Sequence, residues 1–170
     1  EVRLFDTPEF ESNREYIRDH GGMDLMQCIE GFGKIALATC DIEAAIKDVE
    51  IIFVVVPAFA HKPVARTLAP HLKKGHIVVL TPGSVYGVVE FKKTLEECGN
   101  HEDLTLAESC SSIFACRRGS PDMIRVKGYK GRMPVACFPA DRIGAVGPRL
   151  KALFEVYDPA PNIIYTSFQD

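Results

Sequence analysis

Four short stretches of this 170-residue chain place polar groups beside backbone that a ligand could approach closely. Asp6 closes the apolar run "VRLFD", "PAFAH" (57–61) follows "IIFVVV", "PGS" (82–84) follows "HIVVLT", and "ESCSS" (108–112) closes "DLTLA". Their chemistry is that of binding. A carboxylate such as Asp6 accepts hydrogen bonds from a pair of hydroxyls, and the small residues around Val56, Pro57 and Ala58 let backbone approach a flat ligand. Pro82 and Gly83 form a tight turn, and Glu108, an isolated carboxylate ending an apolar strand, requires a partner or a ligand. As a ligand contact it would orient an amine or an amide. Ser109, Ser111 and Ser112 could donate to a carboxylate substrate. Each position also has a plainer reading: Asp6 as the cap of the following helix, Pro82–Gly83 as turn geometry, the serines as local backbone partners, His61 as a helix cap, and Arg117 with Arg118 as a solvated basic pair.

The elements that must position these residues alternate between strand-like and helix-like runs, the order of parallel βαβ units. Thr7 and Pro8 open a helix that Gly21 and Gly22 close, and "KIALAT" (34–39) is a strand. Asp41 caps "IEAAIKDV", whose Ile42, Ala45, Ile46 and Val49 share one face. "IIFVVV" (51–56) is an unbroken apolar run expected as a central strand covered on both sides. A helix over "FAHKPVARTLAPHLKKG", a strand over "HIVVLTPG", a helix ending at Gly99 and a strand over 103–109 follow. From Ile113, "IFACRRG", "MIRVKGYKG" and "RMPVACFPA" read as three short antiparallel or mixed strands before a helix over "DRIGAVGPRLKALF". The expected fold is therefore α/β: a Rossmann-like, doubly wound, mostly parallel sheet with a small extension after residue 112, in a single domain over residues 1–170.

Composition bounds the partners. The 46% hydrophobic and 25% charged content suits one globular domain, and a net charge of -3 argues against nucleic acid. The apolar run from Ile51 is broken by a proline and falls short of the roughly 20 residues that span a bilayer, so no membrane partner is expected. Six cysteines, with neither CxxC nor a zinc-spaced histidine pair, read as reduced thiols of a cytoplasmic protein, buried or inert, with no metal site. Cys110 and Cys116 read as core residues, without a histidine placed to activate them.

In a parallel sheet, ligands bind at the carboxyl ends of strands. An acid ending the second strand of a dinucleotide fold accepts the adenine ribose hydroxyls and repels the extra phosphate of NADP, which makes NAD the expected cofactor and NADP the lesser one. Asp6 fits that position. The fold would then require an earlier strand ending in a G-x-G-x-x-G loop. "GFGKIA" (31–36) precedes a strand and so reads as a turn. The chain is expected to start at the second strand, truncated of its first strand and glycine loop.

"VRLFDTPEF", "LATCDIEAAIKDVEIIFVVVPAFAHKPVARTLAPHLKKGHIVVLTPGSVYGVVEFKK", "AESCSSIFACR" and "NIIYTS" resemble the nucleotide-binding domain of the opine dehydrogenase family, the octopine and N-(carboxyethyl)amino-acid dehydrogenases. The resemblance implies an NAD(P)H-dependent oxidoreductase condensing an amino acid with a 2-oxo acid, or running in reverse. It carries a cofactor-binding role to Asp6, Val56, Pro57, Ala58, Pro82, Gly83 and Glu108, with Ser109, Ser111 and Ser112 near the substrate. No catalytic residue is implied within the chain, because the family's catalytic histidine belongs to a helical domain expected after Asp170. The fragment alone is expected to be inactive. Other readings are another two-domain NAD-dependent dehydrogenase, acting on a 2-hydroxy acid or polyol phosphate, and a non-catalytic NAD-sensing module. The oligomeric state is left open.

Overall fold

The structure is a computed structural model that describes residues 1–120 and 123–168. In chain order the first half holds β1 (Arg3–Phe5), α1 (Glu11–His20), β2 (Gly22–Gln27), β3 (Gly31–Lys34), β4 (Leu37–Thr39), α2 (Ile42–Ile46), β5 (Ile51–Val54) and α3 (His61–Leu68). The second half holds β6 (Ile77–Leu80), α4 (Gly87–Glu97), β7 (Thr105–Ser109), β8 (Phe114–Ser120), β9 (Met123–Tyr129), β10 (Met133–Phe138), α5 (Ile143–Leu153), β11 (Tyr157–Pro159) and α6 (Ile163–Ser167). The α/β order agrees with the sequence. Two compact units result, Glu1–Asp48 with Phe114–Tyr129, and Val49–Ile113 with Lys130–Asp170.

In the first unit β1 and β4 form a parallel ladder, Arg3 opposite Leu37 and Phe5 opposite Thr39. A second sheet has the order β3-β2-β9-β8, with β2 parallel to β9 and the outer pairs antiparallel. Ile17, Met23 and Ala38 are its buried core, with Leu4, Ile35 and Ile124 packed against them. Helix α1 ends at Gly21, whose φ of 72° is the left-handed conformation that a glycine C-cap supplies. Asp41 caps α2 as expected, accepting the N–H groups of Glu43 and Ala44.

Strands β2 and β3 differ from the expectation of a helix stop followed by a turn. Met23 and Leu25 alternate with Asp24 and Met26 in the β2 sequence, and "GFGK" pairs with it as an antiparallel strand. Gly22 belongs to this pairing: a Cβ there would lie 2.2 Å from the Gly33 carbonyl oxygen. Gly21 ends the helix as expected, whereas Gly22 serves close strand approach.

The second unit is built on a five-stranded sheet of order β11-β10-β7-β6-β5. Strands β5, β6 and β7 run parallel, β10 is antiparallel to β7, and β11 is parallel to β10. All four residues of β6 are at most 3% exposed, the burial expected of a strand covered on both faces. Strand β5 reads as central by composition, and with no strand paired on its outer side among the described residues it stands as an open edge, as expected of a sheet without its first strand. It is the edge of this sheet, its first three residues are half-buried, and Val55, expected within it, is 65% exposed. The three strands expected after Ile113 also part ways: β8 and β9 join β2 and β3, whereas β10 enters the five-stranded sheet beside β7.

Candidate functional site

In the first unit, the end of β1 holds Asp6 half-buried, its N–H bonded to the Thr39 carbonyl of β4 at 3.1 Å. Its Oδ1 accepts the Thr7 N–H at 2.9 Å, while Thr7 occupies the cap position of the short turn Pro8–Phe10 without a side-chain bond to its backbone N–H groups. Arg14 on α1 is 5% exposed and donates to the Thr7 and Asp6 carbonyls, fixing the turn that carries the carboxylate. Arg14 and Ile17, one helical turn apart, face the same core. Asp6 lines a pocket of about 250 Å³ whose apolar wall includes Leu4, Ile17, Met23 and Ile124.

In the second unit the carboxyl ends of three parallel strands are aligned: Val54 stands opposite Leu80, and Leu80 opposite Glu108. This register brings the loops carrying Val56–Ala58, Pro82–Gly83 and Ser109–Ser112 to one end of the sheet. Val56 is half-buried, and Pro57 and Ala58 are exposed. The Thr81 N–H bonds to the Val54 carbonyl at 3.0 Å, and the Gly83 N–H to the Ser109 carbonyl at 2.8 Å. Ser84 and Tyr86, at φ 56° and 55°, follow in the left-handed conformation, uncommon outside glycine.

Glu108 is turned inward. It is wholly buried, its Oε1 accepts the Thr166 and Ser167 hydroxyls at 3.1 and 2.9 Å, and its Oε2 accepts the Val88 N–H at 3.2 Å. Burial pushes its carboxyl above the usual range, opposed by the Val88, Ser167 and Thr166 donors. The partner its isolated charge required is thus internal, and a contact from this carboxylate to an outside ligand would need the cluster to open. Gly83 lies directly over it: a Cβ at Gly83 would be 2.4 Å from the Glu108 Cβ. Ser109 is also buried and donates to the Ser111 carbonyl at 2.8 Å, whereas Ser111 and Ser112 are partly exposed.

His61 caps nothing. It is the first residue of α3, behind Ala60, and packs 1% exposed beneath Gly87, with its Nε2 lacking a hydrogen-bond partner among the described residues. Burial lowers its pKa, opposed by the Pro82 carbonyl and Glu90.

The cysteines are less buried than their sequence context suggests: Cys28, Cys40, Cys98 and Cys116 are exposed, Cys110 is intermediate and Cys137 is buried. No group of three histidine, cysteine or acidic residues that could hold a metal occurs among the described residues. No described helix is long and apolar enough to cross a membrane.

Sequence reasoning missed Arg14 and the Glu108 partners. Arg14 had a signal in its helical spacing to Ile17. Thr166 and Ser167 had none, since they meet Glu108 across 58 and 59 residues.

No family model matches the chain. An opine dehydrogenase of Arthrobacter sp. (strain 1C) is 36% identical over 131 residues, which is 77% of this chain and 36% of that protein. The chain therefore spans little more than a third of that relative's length. In fold, it is similar to octopine dehydrogenase in complex with NADH and agmatine, with a TM-score of 0.78 at 17% identity over 98% of this chain and 44% of that one. It is likewise similar to yersinopine dehydrogenase with NADP+ bound, with a TM-score of 0.73 at 18% identity over 96% of this chain and 42% of that one.

Proposed function

Since the chain belongs to the opine dehydrogenase family, we propose that it forms the nucleotide-binding part of an enzyme joining an amino acid to a 2-oxo acid by reductive condensation, or running the reverse oxidation. The observation that carries this reading is the setting of Asp6. The carboxylate follows a strand of a parallel ladder and lines a pocket of about 250 Å³ with an apolar wall. That wall suits a flat base, and the carboxylate suits a ribose diol.

The proposed cofactor is NAD, the class of molecule carried by the octopine dehydrogenase structure, in preference to the NADP+ of the yersinopine enzyme. Bound in reduced form, it would supply the hydride for the carbon–nitrogen double bond that the amine and the ketone form on losing water. Asp6 holds the adenine ribose and disfavours a 2'-phosphate through like-charge repulsion. Val56, Pro57 and Ala58, with Pro82 and Gly83, offer a surface of small side chains to a flat ring. Glu108 acts as a positioning residue. Its bond to the Val88 N–H and its contact with Gly83 hold the loop between β6 and α4. Ser111 and Ser112 are the serines with exposed surface for a substrate carboxylate. Catalytic groups are assigned to none of the described residues. A cytoplasmic location belongs to the same proposal, consistent with exposed free thiols.

The test is NADH consumption by the full-length protein with pyruvate and a panel of amino acids, with products identified by mass spectrometry. Consumption that needs both substrates and yields a secondary-amine dicarboxylate is expected. Consumption with an oxo acid alone would instead favour a 2-hydroxy-acid dehydrogenase, and binding of NAD without turnover would favour a sensing module.

A further inference from the structure

The loop between β6 and α4 is held in a conformation that its own residues do not favour. Ser84 and Tyr86 have φ of 56° and 55°, a left-handed region uncommon for residues with a side chain and kept where surrounding contacts fix the backbone. Tyr86 sits at the cap position of α4 and makes no side-chain capping bond there. The contact that fixes it comes from α6. The Tyr86 N–H donates to the Ser167 hydroxyl oxygen at 3.1 Å, and the same hydroxyl donates to Glu108 Oε1 at 2.9 Å. Ser167 and Glu108 are both buried, so this one hydroxyl serves as acceptor and donor away from water. The Tyr86 and Phe168 rings meet edge to face, centroids 5.6 Å apart, a second tie between the same two segments. At the start of the loop the Gly83 N–H donates to the Ser109 carbonyl at 2.8 Å, and Gly83 lies so close to Glu108 that a Cβ there would overlap its side chain. Both ends of the loop therefore rest on Glu108 and its neighbours. Ser167 is the joint at the far end.

We propose that Ser167 is a positioning residue for the cofactor: through it, α6 latches the β6–α4 loop in the conformation that presents Pro82 and Gly83 to the ligand. The proposal rests on the reading of those two residues as part of the NAD surface, and it adds the element that sets their place. Loss of the Ser167 hydroxyl removes the Tyr86 acceptor and a Glu108 donor in one step. The loop then leaves the left-handed conformation in part of the molecules. Cofactor affinity falls by the fraction that keeps it. Helix α6, 59 residues beyond Glu108 in sequence, becomes part of the cofactor site without touching the cofactor.

Hydrogen exchange of the loop amides and the dissociation constant for NADH, both measured on the full-length protein, test it. Ser167→Ala is expected to speed exchange at the Tyr86 amide about tenfold and to weaken NADH about tenfold, and Ser167→Thr, which keeps a hydroxyl, to restore both. Thr166→Val takes a donor from Glu108 but leaves the bond from Tyr86 to Ser167, so it is expected to match the parent at Tyr86. Equal acceleration in Ser167→Ala and Thr166→Val would mean a general loosening of the buried cluster and overturns the proposal. So does unchanged exchange at Tyr86 in Ser167→Ala, or faster exchange there with NADH bound as tightly as by the parent. Those results leave the NAD reading intact, whereas a parent protein that binds no NADH overturns that reading and this proposal together. Should Ser167→Ala fail to fold, the parent supplies the test, because a ligand that favours the latched loop must slow its opening. Saturating NADH is expected to slow exchange at Tyr86 about tenfold, and an unchanged rate refutes the proposal.

Discussion

Glu108 Oε1 accepts a 2.9 Å hydrogen bond from the Ser167 hydroxyl, joining the end of β7 to α6 across 59 residues of sequence. The Ser167 oxygen in turn accepts the Tyr86 N–H at 3.1 Å, so the carboxylate is linked to the start of α4 by two routes, through Ser167 to Tyr86 and directly to Val88 in the first turn. Removing the acceptor leaves the buried Val88 N–H and Ser167 hydroxyl without it, while the Thr166 hydroxyl keeps the Ile163 carbonyl at 3.1 Å. Glu108→Ala is expected to cost about 2–4 kcal/mol of stability, in the range for a broken buried network. Urea denaturation of parent and variant measures it, and a change under about 0.5 kcal/mol would show that the cluster carries little of the fold.

Gly83 gives a second test of the same cluster. A Cβ at this position meets the Glu108 Cβ at 2.4 Å and its Oε2 at 2.7 Å, so Gly83→Ala must displace a buried side chain. A loss of about 1–3 kcal/mol is expected from overpacking. Gly144→Ala, in α5 with nothing within 4 Å of the new Cβ, is expected to be neutral or to stabilise by about 0.5–1 kcal/mol. Equal effects from the two substitutions would contradict the packing described.

The pH dependence follows from two buried groups of opposite sign. Burial raises the Glu108 carboxyl in the folded state, so its contribution is fully present below its ordinary value of about 4.5 and is lost as pH rises through the folded value. Burial lowers the His61 imidazole, so the fold favours the neutral ring, and stability falls as pH drops from about 6.5 through the folded value. Glu108→Gln should therefore gain on the parent as pH rises above about 4.5. The His61 Cε1 proton, followed by NMR, should titrate below about 6.5; titration at or above that value contradicts the burial.

Thiol chemistry separates the cysteines. Burial pushes the Cys137 thiol up to about 12, leaving almost no thiolate at neutral pH, whereas Cys28, Cys40, Cys98 and Cys116 are exposed. Iodoacetamide under native conditions should modify the four exposed residues and spare Cys137 until denaturant is added. Peptide mapping showing early Cys137 labelling would contradict its placement.

Local signals carried most of the architecture. The apolar runs at β6 and β7, the Asp41 cap and the helix over α5 could be read from periodicity and capping, because those rules act within a few residues. Strand β2 was obscured because Gly21 and Gly22 look like a helix stop, and only the second of them answers to a strand partner, Gly33. Strand β5 looks central by composition, yet its rank in the sheet is set by neighbours that composition does not encode. Helix α6 is five residues long, and its Asn162 cap, which accepts the Ile164 and Tyr165 N–H groups, was too slight a signal to stand out. Asp6 and the strand-end loops could be singled out as candidates because parallel sheets place ligands at carboxyl ends. The inward turn of Glu108 depends on partners distant in sequence.

The most direct test of the account is the position of the adenine ribose in a crystal of the full-length protein with NADH. The account predicts both ribose hydroxyls within hydrogen-bond distance, about 3 Å, of the Asp6 carboxylate, with the base against the wall that includes Leu4 and Ile124. Adenosine bound elsewhere, with no hydroxyl near Asp6, would contradict it.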